Sequence, residues 1–269
     1  MKVVVSAVAF SKNKELVDHL SSCFPESEVN SAGLRFTFEE LIDYFKDADA
    51  IIIGLEKIDD ELLENLPKLK MISKYGVGLD NIDLEACKKR KIHVGWTGGV
   101  NKTSVAEITL GFMIALARNI YITSNQLKAG YWNKSGGFSL SGKKIGIIGL
   151  GHIGKELVRM LEPFKMNIVY NDLIKNREFE RKYSIKFVAK EELFFEADII
   201  TVHTPLDQST YNLIDKEAIE KMKIGVILIN TARGGIINEE DLVDAMLLRK
   251  IGGAAMDVYA KEPPKNKKL

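Results

Sequence analysis

The chain has 269 residues, 46% of them hydrophobic and 28% charged, with 38 Lys and Arg against 37 Asp and Glu. This length accommodates two domains of ordinary size, and the composition is that of a globular protein rather than a disordered or fibrous one. The formal net charge of +1 excludes a global electrostatic attraction to nucleic acids or anionic membranes, so neither is expected as a partner.

The two cysteines, Cys23 and Cys87, are too few for a disulfide framework and lack the Cys-x-x-Cys spacing of a metal or redox site. No apolar segment approaches the roughly 18 residues of a membrane span. The apolar start of the chain is not followed by a small-residue cleavage site, and it is interpreted as a first strand. We therefore expect a cytoplasmic protein without a bound metal.

Short apolar runs alternate with amphipathic helical patterns in the first part of the chain, which is typical of βα units on a parallel sheet. Thr37 and Glu40 predict a capping box at the start of the first helix. Thr97-Gly98-Gly99 interrupts the alternation, so a domain boundary is predicted between a domain 1–98 and a domain 99–269. The predicted strands are Val3–Phe10, Ala50–Leu55, Lys70–Tyr75 and Ile92–Trp96, and the helices are Phe38–Phe45 and Leu84–Lys91.

The second part restarts the same alternation and predicts a doubly wound sheet. A second capping box, Ser104 with Glu107, predicts the start of a long apolar helix that reaches about Arg118. Asn238 is a plausible N-cap for the last helix. The predicted strands are Lys144–Gly149, Ile168–Tyr170, Asp198–His203, Val226–Asn230 and Gly253–Val258, and the helices are Lys155–Leu161, Lys190–Ala197, Lys216–Met222 and Glu239–Arg249.

A glycine motif marks a dinucleotide site in the second part. Gly149, Gly151 and Gly154 form a GxGxxG motif that directly follows a buried-strand pattern and opens a helix. These glycines allow a tight turn, the approach of backbone to a pyrophosphate, and close packing of helix and strand. Asp172 follows the next strand about twenty residues later, where a carboxylate would hydrogen-bond a ribose 2′-hydroxyl and repel a 2′-phosphate. The motif therefore predicts NAD rather than NADP.

Three polar clusters follow the later strands, where open parallel sheets bind their ligands. They and several earlier blocks resemble the D-isomer-specific 2-hydroxyacid dehydrogenase family over essentially the whole chain, with most similarity to its D-3-phosphoglycerate dehydrogenase branch. The resemblance implies an α/β protein with a flavodoxin-like substrate-binding domain and a Rossmann NAD-binding domain. The similar blocks are 74–83, 103–107, the Gly149 loop, 201–206, 230–235, 256–259 and 262–264.

The resemblance assigns the catalytic and cofactor-binding roles. Arg233 would bind the substrate carboxylate and polarise the C2 oxygen, a task suited to a planar permanent charge. Glu262 would raise the pKa of a catalytic histidine. His203 is interpreted as a structural histidine lining the cofactor site, and His152 either faces solvent or contacts the pyrophosphate. Besides the glycines and Asp172, the residues implied to bind NAD are Thr103, His152, Ile153, His203, Thr204, Thr231, Ala232 and Asp257.

The substrate stays open between several 2-hydroxy or 2-keto acids. Val77 and Gly78 would share the substrate carboxylate through their backbone N–H groups, and glycines flank Val77. Lys74 could reach a phosphate or lie on the surface. The phosphoglycerate dehydrogenases commonly place an arginine after the strand that here ends Ile53-Gly54, where this chain has no cation. We consider 3-phosphoglycerate first, with a glyoxylate or hydroxypyruvate reductase and a non-catalytic, NAD-binding dimeric co-regulator as alternatives.

One expected residue does not occur in the chain. The family's acid–base histidine lies in a Pro-His segment some twenty residues beyond the glutamate, and the histidines here are His19, His93, His152 and His203. We expect an incomplete sequence rather than a natural short form, one that binds NAD but turns over poorly because general acid–base catalysis contributes about 10²–10⁴-fold. The apolar helix 105–118 and the loop with Tyr131-Trp132 resemble the dimer-forming region of the family, so a homodimer is expected.

Overall fold

The computed structural model describes residues 1–134, 136–266 and 268. They divide into two compact units, Met1–Val100 and Asn101–Leu269. The boundary predicted after Gly98 lies within two residues of this division.

Unit 1 is built on a five-stranded parallel sheet with the strand order β2-β1-β3-β4-β5. This is the order of flavodoxin-like sheets, and the predicted α/β class is confirmed. Its core consists of buried, mostly aliphatic side chains that line both faces of the sheet. The strands are β1 Val3–Val5, β2 Glu28–Val29, β3 Ala50–Ile53, β4 Met71–Lys74 and β5 His93–Gly95, and the helices are α1 Val8–Ser11, α2 Lys14–Cys23, α3 Phe38–Phe45, α4 Asp60–Glu64 and α5 Leu84–Lys89.

The first strand is shorter than its apolar run suggests. The prediction of a strand from Val3 to Phe10 is wrong beyond Val5, since the chain turns into α1 at Val8. Phe10 is buried from a helix instead of a strand, and periodicity cannot separate the two in a continuous apolar run. The capping box of α3 is confirmed, with the Thr37 N–H donating to Glu40 Oε2 over 2.7 Å.

Unit 2 contains a six-stranded parallel sheet with the strand order β11-β10-β9-β6-β7-β8. The chain winds outward from β6 in both directions, which is the Rossmann order. The strands are β6 Lys144–Ile148, β7 Asn167–Asn171, β8 Lys186–Phe187, β9 Ile199–Val202, β10 Val226–Asn230 and β11 Ile251–Met256. The helices are α6 Lys102–Ala117, α7 Ile120–Lys128, α8 His152–Leu161, α9 Arg177–Tyr183, α10 Lys190–Glu196, α11 Lys216–Lys221 and α12 Glu239–Leu247, with a 3₁₀ turn at Glu162–Phe164.

The central strands of unit 2 are buried on both faces, as expected for a parallel sheet covered by helices. The Asn238 cap of α12 is confirmed, because its side chain accepts the N–H groups of Glu240 and Asp241. The second capping box is wrong. Helix α6 begins at Lys102, so Ser104 and Glu107 lie inside the helix rather than at its N-cap.

No single helix in the described ranges is long and apolar enough to cross a membrane. Helices α6 and α7, which meet at a bend of 63°, reach the necessary length and apolar composition only when they are taken together. Among the same residues, no group of three or more His, Cys, Asp or Glu side chains is placed to hold a metal ion.

Candidate functional site

The glycine motif forms a tight turn between β6 and α8, and each of its glycines meets a different requirement. Gly149 has a φ of +96°, and a Cβ atom there would lie 2.7 Å from the His203 carbonyl oxygen. A Cβ atom at Gly154 would lie 2.3 Å from the Gly149 carbonyl oxygen. Gly151 has no neighbouring atom within 4 Å of such a Cβ, so it borders open space. The first and third glycines are therefore needed to fold the turn, while the second leaves room for a ligand.

Helix α8 begins directly at this open space. Gly151 is its N-cap and makes no side-chain cap hydrogen bond. The first N–H groups of a helix have no partner within the helix, and they carry the positive end of its dipole. Because Gly151 has no side chain to block them, the uncapped N–H groups of α8 are suited to bind a pyrophosphate. His152 is exposed and Ile153 is partly buried, both in the first turn of α8.

Asp172 is held against the glycine loop from the neighbouring strand. Its carboxylate accepts the Leu150 N–H at Oδ2 over 2.6 Å and the Ile174 N–H at Oδ1 over 3.2 Å. A carboxylate oxygen has more than one acceptor direction, so each oxygen can still accept a ribose hydroxyl. The predicted position of an acidic group beside the dinucleotide motif is thus realised in the fold.

His203 and Thr204 line the other side of the glycine turn. The Thr201 hydroxyl lies 3.1 Å from His203 Nε2. His203 Nδ1 and Thr204 Oγ1 are buried without a hydrogen-bond partner among the described residues. The sequence predicts a satisfied structural histidine, whereas only one ring nitrogen has a partner here. Buried polar atoms of this kind are normally paired, so both fit a wall that contacts a polar ligand.

Burial lowers the pKa of His203 to about 4, which keeps the ring neutral at neutral pH. Because the unfolded chain binds this proton near pH 6.5, the free energy of unfolding should fall as the pH is lowered from about 6.5 toward 4. We expect the His203 ring signals in an NMR titration, assigned by their loss in His203→Asn, to stay constant from pH 7.5 to about pH 5. A midpoint near pH 6.5 would contradict the burial argument.

The loop after β10 holds Arg233 through a buried asparagine. Asn230 is fully buried; its Nδ2 donates to the Arg233 carbonyl oxygen over 2.8 Å and its Oδ1 accepts the Ala232 N–H over 3.0 Å. The Thr231 hydroxyl pairs with that of Thr109 on α6 at 3.0 Å, also in the interior. Arg233 itself is partly buried, and its Nη1 donates to the Ala232 carbonyl oxygen over 2.7 Å. The backbone that carries the guanidinium is therefore fixed from two directions.

The loop after β11 packs against the Arg233 loop. A Cβ atom at Gly234 would lie 1.9 Å from the Tyr259 carbonyl group, so the two backbones are in direct contact. Glu262 Oε1 accepts the Tyr259 N–H over 3.1 Å. The Asp257 N–H donates to the Asn230 carbonyl oxygen, and its side chain is exposed. Arg233, Asp257 and Glu262 thus lie on neighbouring loops of one sheet edge.

Unit 1 carries the residues predicted to bind the substrate at the end of β4. The N–H groups of Gly76, Val77 and Gly78 donate to no acceptor among the described residues. Lys74 Nζ donates to the Gly54 carbonyl oxygen and to Asn81 Oδ1. Lys74 is partly buried, and its ammonium group belongs to this network.

Some of the predicted site residues lie in unit 1 and the others in unit 2. The glycine loop, Asp172, His203, Thr204 and the Arg233 loop lie at the carboxyl edge of the sheet of unit 2. Thr103 is an exposed residue of the first turn of α6, and the adjacent Lys102 reaches Glu156 of α8 over 3.6 Å. Two residues without a predicted role, Asn230 and Thr109, support the Arg233 loop. An asparagine at the end of an apolar run is a usual former of side-chain-closed turns, which is the signal that points to Asn230.

The family model for the NAD-binding domain of the D-isomer-specific 2-hydroxyacid dehydrogenases matches residues 110–269. The chain belongs to this family. The matched family domain binds NAD, so the predicted cofactor is confirmed. The assignment of the glycine loop and Asp172 to the dinucleotide stays a prediction. The two-domain fold and the resemblance stated from the sequence are confirmed with it.

Curated relatives carry different substrate names. The chain is 40% identical over 237 residues to a D-3-phosphoglycerate dehydrogenase from Methanocaldococcus jannaschii, covering 87% of this chain and 45% of the relative. It is 37% identical over 239 residues to a glyoxylate reductase from Thermococcus litoralis, covering 85% of this chain and 72% of the relative. The chain therefore spans about half the length of the first of these dehydrogenases.

Solved structures share the same fold over nearly the whole chain. A glyoxylate reductase from Paecilomyes thermophila superposes with a TM-score of 0.90 at 27% identity, covering 100% of this chain and 84% of that one. A D-lactate dehydrogenase from Aquifex aeolicus, complexed with NAD and lactic acid, gives a TM-score of 0.85 at 26% identity, covering 97% and 78%. The dehydrogenase fold is thus common to relatives that carry different substrate names.

Proposed function

We propose that the protein catalyses reversible hydride transfer between NAD and C2 of a D-2-hydroxy acid or 2-keto acid. The observation that carries the proposal is the Arg233 loop, which Asn230 fixes at the same sheet edge as the NAD-binding glycine loop. A permanently charged planar donor at that edge is suited to bind a carboxylate and an adjacent carbonyl oxygen.

Each residue at this edge has a chemical task. NAD, when bound, accepts or supplies the hydride. Arg233 binds the substrate carboxylate and stabilises negative charge that develops on the C2 oxygen. Glu262 provides a carboxylate on the adjacent loop, which would stabilise the protonated form of a general acid. In unit 1, the N–H groups of Val77 and Gly78, which have no acceptor among the described residues, suit a carboxylate.

The proposal is tested by NADH oxidation in the full-length protein. Glyoxylate, hydroxypyruvate and 3-phosphohydroxypyruvate are supplied in turn, and the loss of reduced nicotinamide absorbance is followed. We expect saturable oxidation with at least one of them. Tight NADH binding without turnover of any keto acid would contradict the proposal and would favour the dimeric co-regulator instead.

We also propose that the protein forms a homodimer through α7 and the loop after it. Helix α7 has no buried residue, and its apolar side chains face outward. Tyr121 is 75% exposed and Trp132 is 73% exposed, so the surface carries an extended apolar patch of the kind found at protein–protein interfaces. Since this patch includes the aromatic loop that resembles the dimer region of the family, a second copy of the chain is its expected partner. The patch consists of Ile120, Tyr121, Ile122, Leu127, Tyr131 and Trp132.

Light scattering is expected to give twice the 30.1 kDa mass of one chain. The double variant Tyr121→Glu with Trp132→Glu should shift the protein to the monomer, because each charge would lose hydration in an apolar interface. Phe195→Glu, at an exposed position on α10 outside the patch, is the matched control and should remain dimeric. A wild-type protein with the mass of one chain would overturn the proposal.

We propose a reducing cytoplasmic location. Cys23 and Cys87 are both free thiols, and a reducing compartment keeps thiols in that form. Fractionation of cells that express the full-length protein tests this location, and recovery outside the cytoplasm would contradict it.

A further inference from the structure

The turn after β4, formed by Gly76, Val77 and Gly78, is held by a tryptophan side chain. Among the backbone N–H and C=O groups of this turn, the Val77 carbonyl oxygen is the one with a hydrogen-bond partner in the described part of the chain. The partner is Trp96, whose Nε1–H donates to that oxygen over 2.8 Å. Trp96 directly follows β5, which pairs in parallel with β4. The indole therefore links the turn to the end of the neighbouring strand.

This hydrogen bond also sets the direction of a backbone N–H group. The Val77 carbonyl and the Gly78 N–H belong to one peptide unit, which is trans and planar. In such a unit the C=O and N–H bonds point in opposite directions. Since Trp96 holds the carbonyl oxygen, the Gly78 N–H points away from the indole, where it has no acceptor among the described residues. A ligand on that side can accept this N–H.

The glycines of the turn make such a restraint necessary. If the peptide between Val77 and Gly78 rotated by half a turn, the φ of Gly78 would change sign, and glycine adopts positive and negative φ about equally. The rotated peptide would present its carbonyl oxygen to the ligand in place of the N–H, and a carbonyl oxygen repels a carboxylate. The Trp96 bond therefore favours the orientation in which the turn attracts an anion.

The exposure of Trp96 distinguishes this role from a role in folding. Its side chain is 46% exposed, and the ring lies outside the two buried clusters described for unit 1. A smaller ring at this position therefore leaves no cavity in the core, and cavities are what make most losses of large side chains destabilising. The effect of replacing Trp96 should appear in ligand binding rather than in stability.

We propose that Trp96 is a positioning residue for the substrate, because its indole N–H fixes the peptide that presents the Gly78 N–H to the substrate carboxylate. This inference rests on the proposed function and adds a residue to the same site. The carboxylate is present in the substrate, the transition state and the product, so the interaction contributes equally to the binding of all three. An interaction of this kind lowers KM without changing kcat.

The test removes the indole N–H and keeps an aromatic ring, in the full-length protein. Trp96→Phe is compared with a protein that carries β-(3-benzothienyl)alanine at position 96, an isostere with sulfur in place of the N–H. For both, we expect KM for the preferred 2-keto acid to rise by about tenfold, the usual cost of losing a hydrogen bond to a charged group. The dissociation constant of oxamate, an unreactive 2-keto acid analogue, should rise equally in the NADH complex. The kcat, the affinity for NADH and the unfolding temperature should stay near their wild-type values.

Tyr44→Phe is the matched control, since the Tyr44 hydroxyl also donates from an aromatic side chain to a backbone carbonyl of unit 1, that of Val5, over 3.2 Å. It should bind oxamate as the wild type does. Wild-type oxamate affinity in both position-96 proteins, or no oxamate binding by the wild type, would overturn the inference. If the wild type oxidises NADH with no keto acid, the proposed function is contradicted, while the loss of oxamate affinity at position 96 would still support the role of Trp96.

Discussion

Replacement of Arg233 by alanine is expected to lower kcat/KM for the preferred 2-keto acid by about 10²–10³-fold, the usual cost of removing a donor to a developing oxyanion. The affinity for NADH should change little, because the residues predicted to hold the dinucleotide, the glycine loop and Asp172, lie on other loops. Stability should also change little, since the Asn230 side chain bonds to the Arg233 backbone rather than to its guanidinium. Steady-state kinetics, NADH fluorescence titration and thermal unfolding measure these effects separately.

A lysine at position 233 distinguishes the effect of the positive charge from that of the planar guanidinium group. Arg233→Lys keeps the charge but loses the planar pair of donors, so it should recover only a small part of the lost activity. Arg249→Ala is the control and should leave kcat/KM unchanged. Arg249 is exposed and lies between α12 and β11, at the opposite edge of the sheet from Arg233. Full activity in Arg233→Lys would show that a point charge suffices and would contradict the assigned role.

Gly151→Ala is expected to weaken NADH binding by about tenfold or more while leaving the folded turn intact. A methyl group at Gly151 meets no protein atom within 4 Å, so it does not strain the turn. It would instead occupy space beside the uncapped N–H groups of α8, where backbone must approach the pyrophosphate. The measurements are the NADH dissociation constant and the unfolding temperature without cofactor.

Two further glycine variants serve as comparisons. Gly154→Ala places a methyl group 2.3 Å from the Gly149 carbonyl oxygen, so it should lower both the unfolding temperature and NADH affinity. Gly111→Ala on α6 meets nothing within 4 Å and should bind NADH normally, with a helix stabilised by up to about 1 kcal/mol. If Gly151→Ala bound NADH as tightly as Gly111→Ala, the pyrophosphate would not approach this turn.

Local patterns predicted the parts of the fold that depend on neighbouring residues. The Thr37 capping box and the Asn238 cap are visible in the sequence because donor and acceptor lie two or three residues apart. The pattern at Ser104 predicts a helix start that the fold places at Lys102, since a pattern that matches a cap also occurs inside helices. The apolar run that begins at Val3 predicts one long strand, but the strand ends at Val5. A buried helix and a buried strand are equally apolar, so the run does not distinguish them.

The sequence by itself determined the α/β class, the dinucleotide motif with Asp172, and the arginine and glutamate that follow β10 and β11. These signals are carried by strand periodicity, glycine spacing and short blocks, all of which are local. Only the tertiary structure decided what fixes those residues. Thr109 and Thr231 lie 122 positions apart, and Asn81 lies 25 positions from Glu56. Hydrogen bonds over such separations exist only once the strands are ordered in a sheet, so the support of Arg233 and the hydrogen bonds around Gly54 are properties of the fold.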